Sequence, residues 1–448
     1  MPKFIFIYSL ILLLVSVSSF AIIDSKWGDS NLMTYNEVVE KTFIPVKSKR
    51  NKSDVHTNTL IGKVMCGYQG WFSPKRDGSN LDWMHYKLGN DFYDGSCCFD
   101  FWPDTSEYED LYNSPFKYSD GSTAKLYSAA DISTSMLHFK WMYEYDIDGV
   151  FIQRFGVGLA EDTPKNLWFT NIVLNNSRVA ANKYGRVIAL SYDLAAMDSS
   201  KKNTVNIIKN DWKRLVDKSK LTSDPAYLKH KGKPVIQIWC IGTNDDNSKR
   251  YSIEECAELI NFFQNDPVYG GCFVIAGVPT GWRTLDFDAV NDPKLLELME
   301  KVDAISPWTI GRFGDINDFN YHLETRFVKD LEWCNERGII YFPTAFPGFS
   351  WNNMVKGAKI NEIPRLEGDF LWAQYLGFKK IGVKCVYQSM FDEIDEGTAI
   401  YKCTNNPPVG KSQFATYEGL PSDYYLRLVG EGKKLINGKR LSKEKLMP

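Results

Sequence analysis

Eight segments of the chain are almost continuously apolar: residues 63–72, 147–155, 186–194, 233–240, 271–279, 303–312, 339–351 and 381–391. Runs that do not alternate with polar positions belong to parallel strands buried on both faces. Between them lie stretches of helical spacing at residues 131–146, 165–184, 204–218, 253–265, 318–337 and 365–378. In the first stretch Ile132, Met136, Phe139, Met142 and Tyr143 form one stripe, with Asp131 or Ser133 placed to cap it. Gly185 and Gly338 follow two of the stretches as stop signals. Strand–helix alternation repeated eight times predicts an α/β fold, a (β/α)8 TIM barrel. A doubly wound sheet is the alternative. It lacks the Gly-x-Gly-x-x-Gly opening after the first strand, since the nearest approach, residues 156–161, follows the second run without the third glycine.

Two additions lie outside this pattern. Residues 73–130 make a long first βα loop, rich in Asp, Ser, Tyr and Trp, of the kind that builds an active-site mouth. Residues 403–448 carry Pro407-Pro408, a helical stretch near 422–429 and a basic tail, and are expected to pack on the barrel as a short C-terminal extension. At the other end, Lys3, an apolar stretch over residues 4–17, and Ser19 and Ala21 at the −3 and −1 positions of a cleavage site read as a signal peptide. Its apolar stretch of 14 residues falls short of the ~20 that span a bilayer. An uncleaved anchor is the alternative. The expected division is therefore a signal peptide over 1–21, an N-terminal extension over 22–60, the catalytic barrel over 61–402 and the C-terminal segment over 403–448. Secretion, with no membrane contact after cleavage, follows as an expectation, and so does a monomer.

Composition narrows the chemistry. With 53 Lys+Arg against 55 Asp+Glu, the net charge of −2 removes the electrostatic term on which nucleic-acid binding depends. Aromatic residues make up 14% of the chain, which suits stacking on sugars, although most such rings must serve the core. The nine cysteines include no C-x-x-C pair, and Cys66, Cys240, Cys272 and Cys385 sit in strand-like runs as small buried apolar groups. Asn51 and Asn175 head glycosylation sequons. The five histidines, His56, His85, His138, His230 and His322, form neither H-x-H nor H-E-x-x-H, so neither metal nor cofactor is expected. Cysteine–histidine catalysis would have to draw on Cys97 or Cys98 with His85. No Gly-x-Ser-x-Gly elbow occurs.

In a barrel of this kind the reactive groups gather at the C-terminal strand ends. There the chain offers Tyr68-Gln69-Gly70-Trp71, Gln153-Arg154, Ser191-Tyr192-Asp193, Trp239, Trp308 and Trp351. Tyr68, Trp71, Trp102, Arg154, Tyr192, Trp239, Trp308, Trp351 and Tyr387 are the candidates to line sugar subsites, with core packing the alternative for each. The last run leads into Asp392, Glu393, Asp395 and Glu396. On a helical turn Glu393 and Glu396, three apart, share a face with ~5–6 Å between Cβ atoms. Paired carboxylates at such a separation suit acid/base work on a glycosidic bond with retention, and crowding raises one pKa to supply the proton donor. An acidic helix cap followed by solvated charge is the structural alternative.

Residues 65–72 (MCGYQGWF), 100–104 (DFWPD), 346–349 (FPGF) and 393–398 (EIDEGT) resemble the proteins called glycoside hydrolase family 71/99-like, related to the family 99 endo-α-1,2-mannosidases and endo-α-1,2-mannanases. The family pattern Asn-Glu-Trp-His-Glu-Gly-Thr corresponds to residues 392–398, with Ile394-Asp395 in place of Trp-His, and Phe349 stands where the family usually has Tyr. The resemblance spans roughly residues 61–400. It implies a retaining α-glycosidase without metal or cofactor. Glu393 would act as base on the sugar's own 2-hydroxyl, and Glu396 as the acid/base at the leaving oxygen. Two function classes stand at this point: a secreted hydrolase of an α-linked oligosaccharide or polysaccharide, and a non-catalytic glycan-binding protein on the same barrel.

Overall fold

The computed structural model describes residues 33–195, 197, 204–244 and 251–439. The signal segment predicted over 1–21 lies outside the described residues. Eight parallel barrel strands follow in chain order: β1 (Val64–Tyr68), β2 (Gly149–Phe155), β3 (Val187–Asp193), β4 (Lys233–Trp239), β5 (Phe273–Pro279), β6 (Ala304–Trp308), β7 in two pieces (Ile340–Tyr341 and Thr344–Ala345) and β8 (Val386–Gln388). Each falls within one of the eight apolar runs. β1 pairs on one side with β2 (Met65 opposite Gly149) and on the other with β8 (Met65 opposite Tyr387). The ring meets itself at β7, whose first piece pairs with β6 and whose second pairs with β8. Pro343, which has no N–H for the ladder, separates the two pieces.

Both faces of these strands are buried, as their apolar runs require. Met65, Phe151, Ala189, Val235, Ile275, Ala304, Phe342 and Tyr387 fill the barrel interior, while residues such as Val150, Ile188 and Ile236 pack outward against the helices. The helices predicted over 131–146, 165–184, 204–218 and 253–265 form as Ile132–Glu144, Pro164–Tyr184, Thr204–Asp217 and Ile253–Asn265. Asp131 stands at the N-cap position without a side-chain cap bond. The segment expected as one helix over 318–337 is interrupted by a π turn at Leu323–Phe327.

The additions pack onto this frame. Helix Tyr35–Thr42, closed by a Thr34–Glu37 capping box, docks through Thr42, whose Oγ1 and carbonyl accept from Asn171 and Asn175 at 2.8 and 2.9 Å. That contact corrects one sequence expectation: Asn175 is buried inside helix Pro164–Tyr184, so its sequon is inaccessible in the folded chain. Asn51 is exposed. The first βα loop carries a hairpin (Tyr112–Lys117 with Thr123–Leu126), and its Phe99, Trp102 and Phe116 rings cluster with Phe414 of the C-terminal segment. Near the C-terminus, helix Tyr424–Ile436 lies against helix Asp369–Ile381, where a Cβ at Gly432 would stand 2.6 Å from the Tyr375 ring. All nine cysteines are unpaired and buried.

Candidate active site

The chain leaves β8 and folds at once into a tight turn over residues 394–397. The Thr398 and Ala399 amides donate back to the Glu393 carbonyl at 3.1 and 2.8 Å, closing the loop. Gly397 makes this possible. Its φ is +67°, and a Cβ there would lie 2.8 Å from the Ser350 amide nitrogen, so a side chain would be both strained and blocked. The turn is pinned from three directions. The Ser350 amide donates to the Glu396 carbonyl (3.0 Å), the Phe391 amide to the Gly67 carbonyl (2.8 Å), and the Asp100 amide to the Ile394 carbonyl (3.0 Å). The Asp100 carboxylate in turn accepts from Ser350 Oγ and from the Asn352 and Asn353 amides. The long first βα loop thus reaches the face of the barrel that carries the acidic turn.

Four carboxylates meet here in different surroundings. Asp392 accepts from the Gln69 and Gly70 amides, both at 2.8 Å, and so ties the end of β1 to the end of β8. Burial pushes its pKa up to about 7 despite those donors. Glu393, 2% exposed, accepts from the Gln69 side-chain amide and the Thr398 hydroxyl, each at 2.5 Å. Burial, then the Asp395 charge, raises it to about 8, while the two donors act in the opposite direction. Asp395, 2% exposed, has one oxygen 3.1 Å from His85 Nδ1 and is also raised by burial to about 8. Glu396 is half-buried, and no hydrogen bond from a described residue reaches its carboxylate. Burial, then the charges of Glu393 and Asp395, holds it well above the usual carboxylate range. Among the described residues no lysine or arginine pairs with any of the four.

Five of the predicted sugar-lining residues surround this mouth. Trp239 and Trp308 stand with ring centroids 5.0 Å apart, and Trp308 lies 6.4 Å from the inward-facing Tyr387, whose hydroxyl accepts from Gln153 at 3.2 Å. Trp71 is stacked between His85 and Phe155. Trp351 lies on the β7 loop beside Phe349, with its Nε1 bonded to Glu362.

Four others are corrected by the structure. Side chains alternate along a strand, and Tyr68, Arg154 and Tyr192 occupy the outward phase. Tyr68 points away from the axis and bonds His138 (2.9 Å), which also bonds Tyr108 (2.7 Å). Arg154, fully buried, forms a two-oxygen pair with Asp211, and the Tyr192 hydroxyl donates to the same carboxylate at 2.6 Å. Trp102 is fully buried inside the long loop's own ring cluster. The inward neighbours are Gln69, Gln153 and Asp193; strand parity sets them opposite the outward three, but an unbroken apolar run carries no sign of which set faces in. Thr398 belonged to the motif but not to the candidates. His85 carried no local signal, because its partner lies 310 residues away. The suggested Cys98–His85 pair is absent as chemistry: the thiol meets the His85 backbone carbonyl at 3.1 Å, not the imidazole.

No family model matches the sequence, and no curated protein matches it. Solved structures do. A GH99 endo-alpha-mannosidase from Bacteroides thetaiotaomicron superposes with a TM-score of 0.60 at 14% identity, over 86% of this chain and 100% of that one. The structure of that enzyme in complex with bis-tris-propane gives 0.56 at 14%, over 85% and 98%. A glycoside hydrolase-like protein gives 0.52 at 15%, over 88% and 98%. At such identities the likeness is one of fold, and the chain shares the (β/α)8 barrel of these structures.

Proposed function

We propose that the protein is a secreted glycoside hydrolase that cleaves an α-linked glycan with retention, in the manner of an endo-α-mannosidase or mannanase. One observation carries this reading: two glutamates of a single turn have opposite surroundings. Glu393 is gripped by two donors, which favour its charged form. Glu396 has no donor among the described residues and faces two other carboxylates, which favours its protonated form. Burial raises both glutamates, and the two donors that oppose it at Glu393 alone set the pair apart in the sense that base and acid roles require. The likeness in fold to an endo-alpha-mannosidase supports the choice of reaction.

In this reading Glu393 takes the proton of the sugar's 2-hydroxyl while O2 attacks C1. The bond from C1 to the leaving oxygen breaks, and that oxygen takes the proton of Glu396. Glu396, now a carboxylate, then takes a proton from water. The water oxygen attacks C1, the C1–O2 bond opens, and O2 recovers its proton from Glu393. Two displacements at C1 retain its configuration. Trp239, Trp308 and Tyr387 hold the sugar, and the polar, uncharged Gln153 helps orient it. A panel of α-linked oligosaccharides, with products read by mass spectrometry, tests the reading. Cleavage by the wild type and its loss in Glu396→Gln are expected. Binding of a glycan with no cleavage of any panel member would instead establish the non-catalytic alternative.

A further inference from the structure

Asp395 reaches from the acidic turn to a residue of the long first βα loop. Its Oδ2 lies 3.1 Å from His85 Nδ1, while its Oδ1 is buried without a hydrogen-bond partner among the described residues. The imidazole lies flat on the Trp71 indole, with centroids 3.6 Å apart and planes 4° apart, and meets Phe72 edge-on. It is therefore held on one edge and one face. Its Nε2 has no partner among the described residues. The ring, with a side chain 33% exposed, lines a cavity of about 250 Å³ together with Trp71, Gln153, Phe155 and Asn166. Among the described residues, no lysine, arginine, aspartate or glutamate lines that cavity. A histidine with one nitrogen fixed by a buried carboxylate and the other left open to a cavity is arranged to hydrogen-bond a ligand.

We propose that Asp395 and His85 form a substrate-positioning dyad, in which His85 Nε2 hydrogen-bonds an oxygen of a neutral sugar ring seated in this cavity. This rests on the glycan reading above and adds to it a residue and a subsite. The uncharged lining selects against uronic acids, because a carboxylate there would be desolvated without a cation. Protonation sets the sense of the bond. With one proton between Asp395 and Nδ1 and a second on the ring, Nε2–H is a donor, whichever partner holds the shared proton. When the pair loses one proton, Asp395 accepts from Nδ1–H and Nε2 becomes an acceptor. Asp392, Glu393, Glu396 and Asp100 are the carboxylate neighbours of Asp395, and negative charge on them keeps the proton on the pair, while burial keeps the nearby Cys98 thiol neutral. A sugar hydroxyl both donates and accepts, so it can meet either form.

The test uses the full chain, 15N-labelled at histidine, with methyl α-D-mannopyranoside, methyl α-D-glucopyranoside and D-glucuronate as probes. Binding is read by saturation-transfer NMR and the His85 ring by its 15N shifts. A neutral glycoside should bind and shift the Nε2 resonance, and glucuronate should not bind. His85→Asn, chosen because asparagine tolerates the φ of +60° at this position, should weaken that binding about tenfold, the worth of one hydrogen bond. Asp395→Asn, which can still donate to Nδ1, should keep the Nε2–H donor and rescue binding at neutral pH while abolishing the alkaline change in the 15N shift. No shift with either neutral glycoside, equal binding by His85→Asn, or binding of glucuronate as tight as that of the neutral sugars would each overturn the dyad. The same variants on the oligosaccharide panel separate this from the hydrolase reading. Cleavage with an unchanged KM in His85→Asn overturns the dyad alone. His85-dependent binding without cleavage by the wild type overturns hydrolysis alone and supports the dyad.

Discussion

Two buried acidic clusters stand at the C-terminal ends of the barrel strands, on opposite sides of the sheet. Behind β2 and β3, Asp211 meets Arg154 with both oxygens, and Tyr192 and Asn171 complete the cluster. Its charge is matched. At the end of β8, four carboxylates share one turn, and among the described residues their only ionisable partner is His85. Their pKa values are raised, and Glu396 among them is partly exposed. Burial alone therefore does not mark a site. Buried charge without a counter-charge does, because it costs stability that only a use for the group offsets. The first cluster holds helix Thr204–Asp217 against the barrel. The second has the composition of acid/base machinery.

The sharpest way to break this comparison is to exchange the consequences of mutation. Glu393→Gln and Glu396→Gln should each lower turnover of a cleaved glycan by about 10²–10⁴-fold, with little change in the urea midpoint. With a glycosyl fluoride, whose leaving group needs little protonation, Glu396→Gln should recover much of its first-step rate and Glu393→Gln should not. Asp211→Ala should do the reverse. It leaves Arg154 buried and unpaired and should cost about 3–5 kcal/mol of folding stability, measured by chemical denaturation, while the folded fraction keeps its KM. If Glu396→Gln unfolded the protein and Asp211→Ala abolished only turnover, the two clusters would have been assigned the wrong way round.

Smaller effects sharpen the contrast. Gly397→Ala forces a side chain into a left-handed position against the Ser350 backbone and should cost about 1–3 kcal/mol, with a fall in kcat larger than the rise in KM, because it displaces Glu396 first. The pH dependence of stability gives the finest test. Asp392, raised to about 7, and Asp395, raised to about 8, bind protons in the folded state that the unfolded chain has released above about pH 4. Their contribution is fully present below about pH 4 and is lost as the pH rises through 7 and 8. Stability should therefore fall across this window, by at most about 1.4 kcal/mol per pH unit for each such group. Urea titrations at successive pH values should show a shallower fall in Asp392→Asn. An equal slope in that variant would mean that Asp392 is not among the groups responsible.

The positions of the eight strands were legible because each is an unbroken apolar run. Those same runs hid which side chains face inward. Where both faces of a strand are buried, the hydropathy of successive residues no longer alternates, and the phase is lost. Tyr68, Arg154 and Tyr192 were read as lining the mouth for this reason, although Gln69, Gln153 and Asp193 beside them hold the inward positions. Trp102 misled differently: the long loop is large enough to need a core of its own, and its rings supply one.

By itself the sequence determined what is local. Continuous hydrophobicity set the parallel barrel, and the spacing of Asp392, Glu393, Asp395 and Glu396 concentrated charge in one turn. Gly397 allowed that turn to close. Tertiary structure alone decided how each carboxylate differs from its neighbours. Gln69 at the end of β1 and Thr398 grip Glu393, His85 from the long loop meets Asp395, and Glu396 is left without a donor among the described residues. The reason is physical: a carboxylate's proton affinity depends on its depth from water and on the donors within a few ångströms. Most of those donors are brought there by closure of the ring between β8 and β1, some 320 residues apart in the chain.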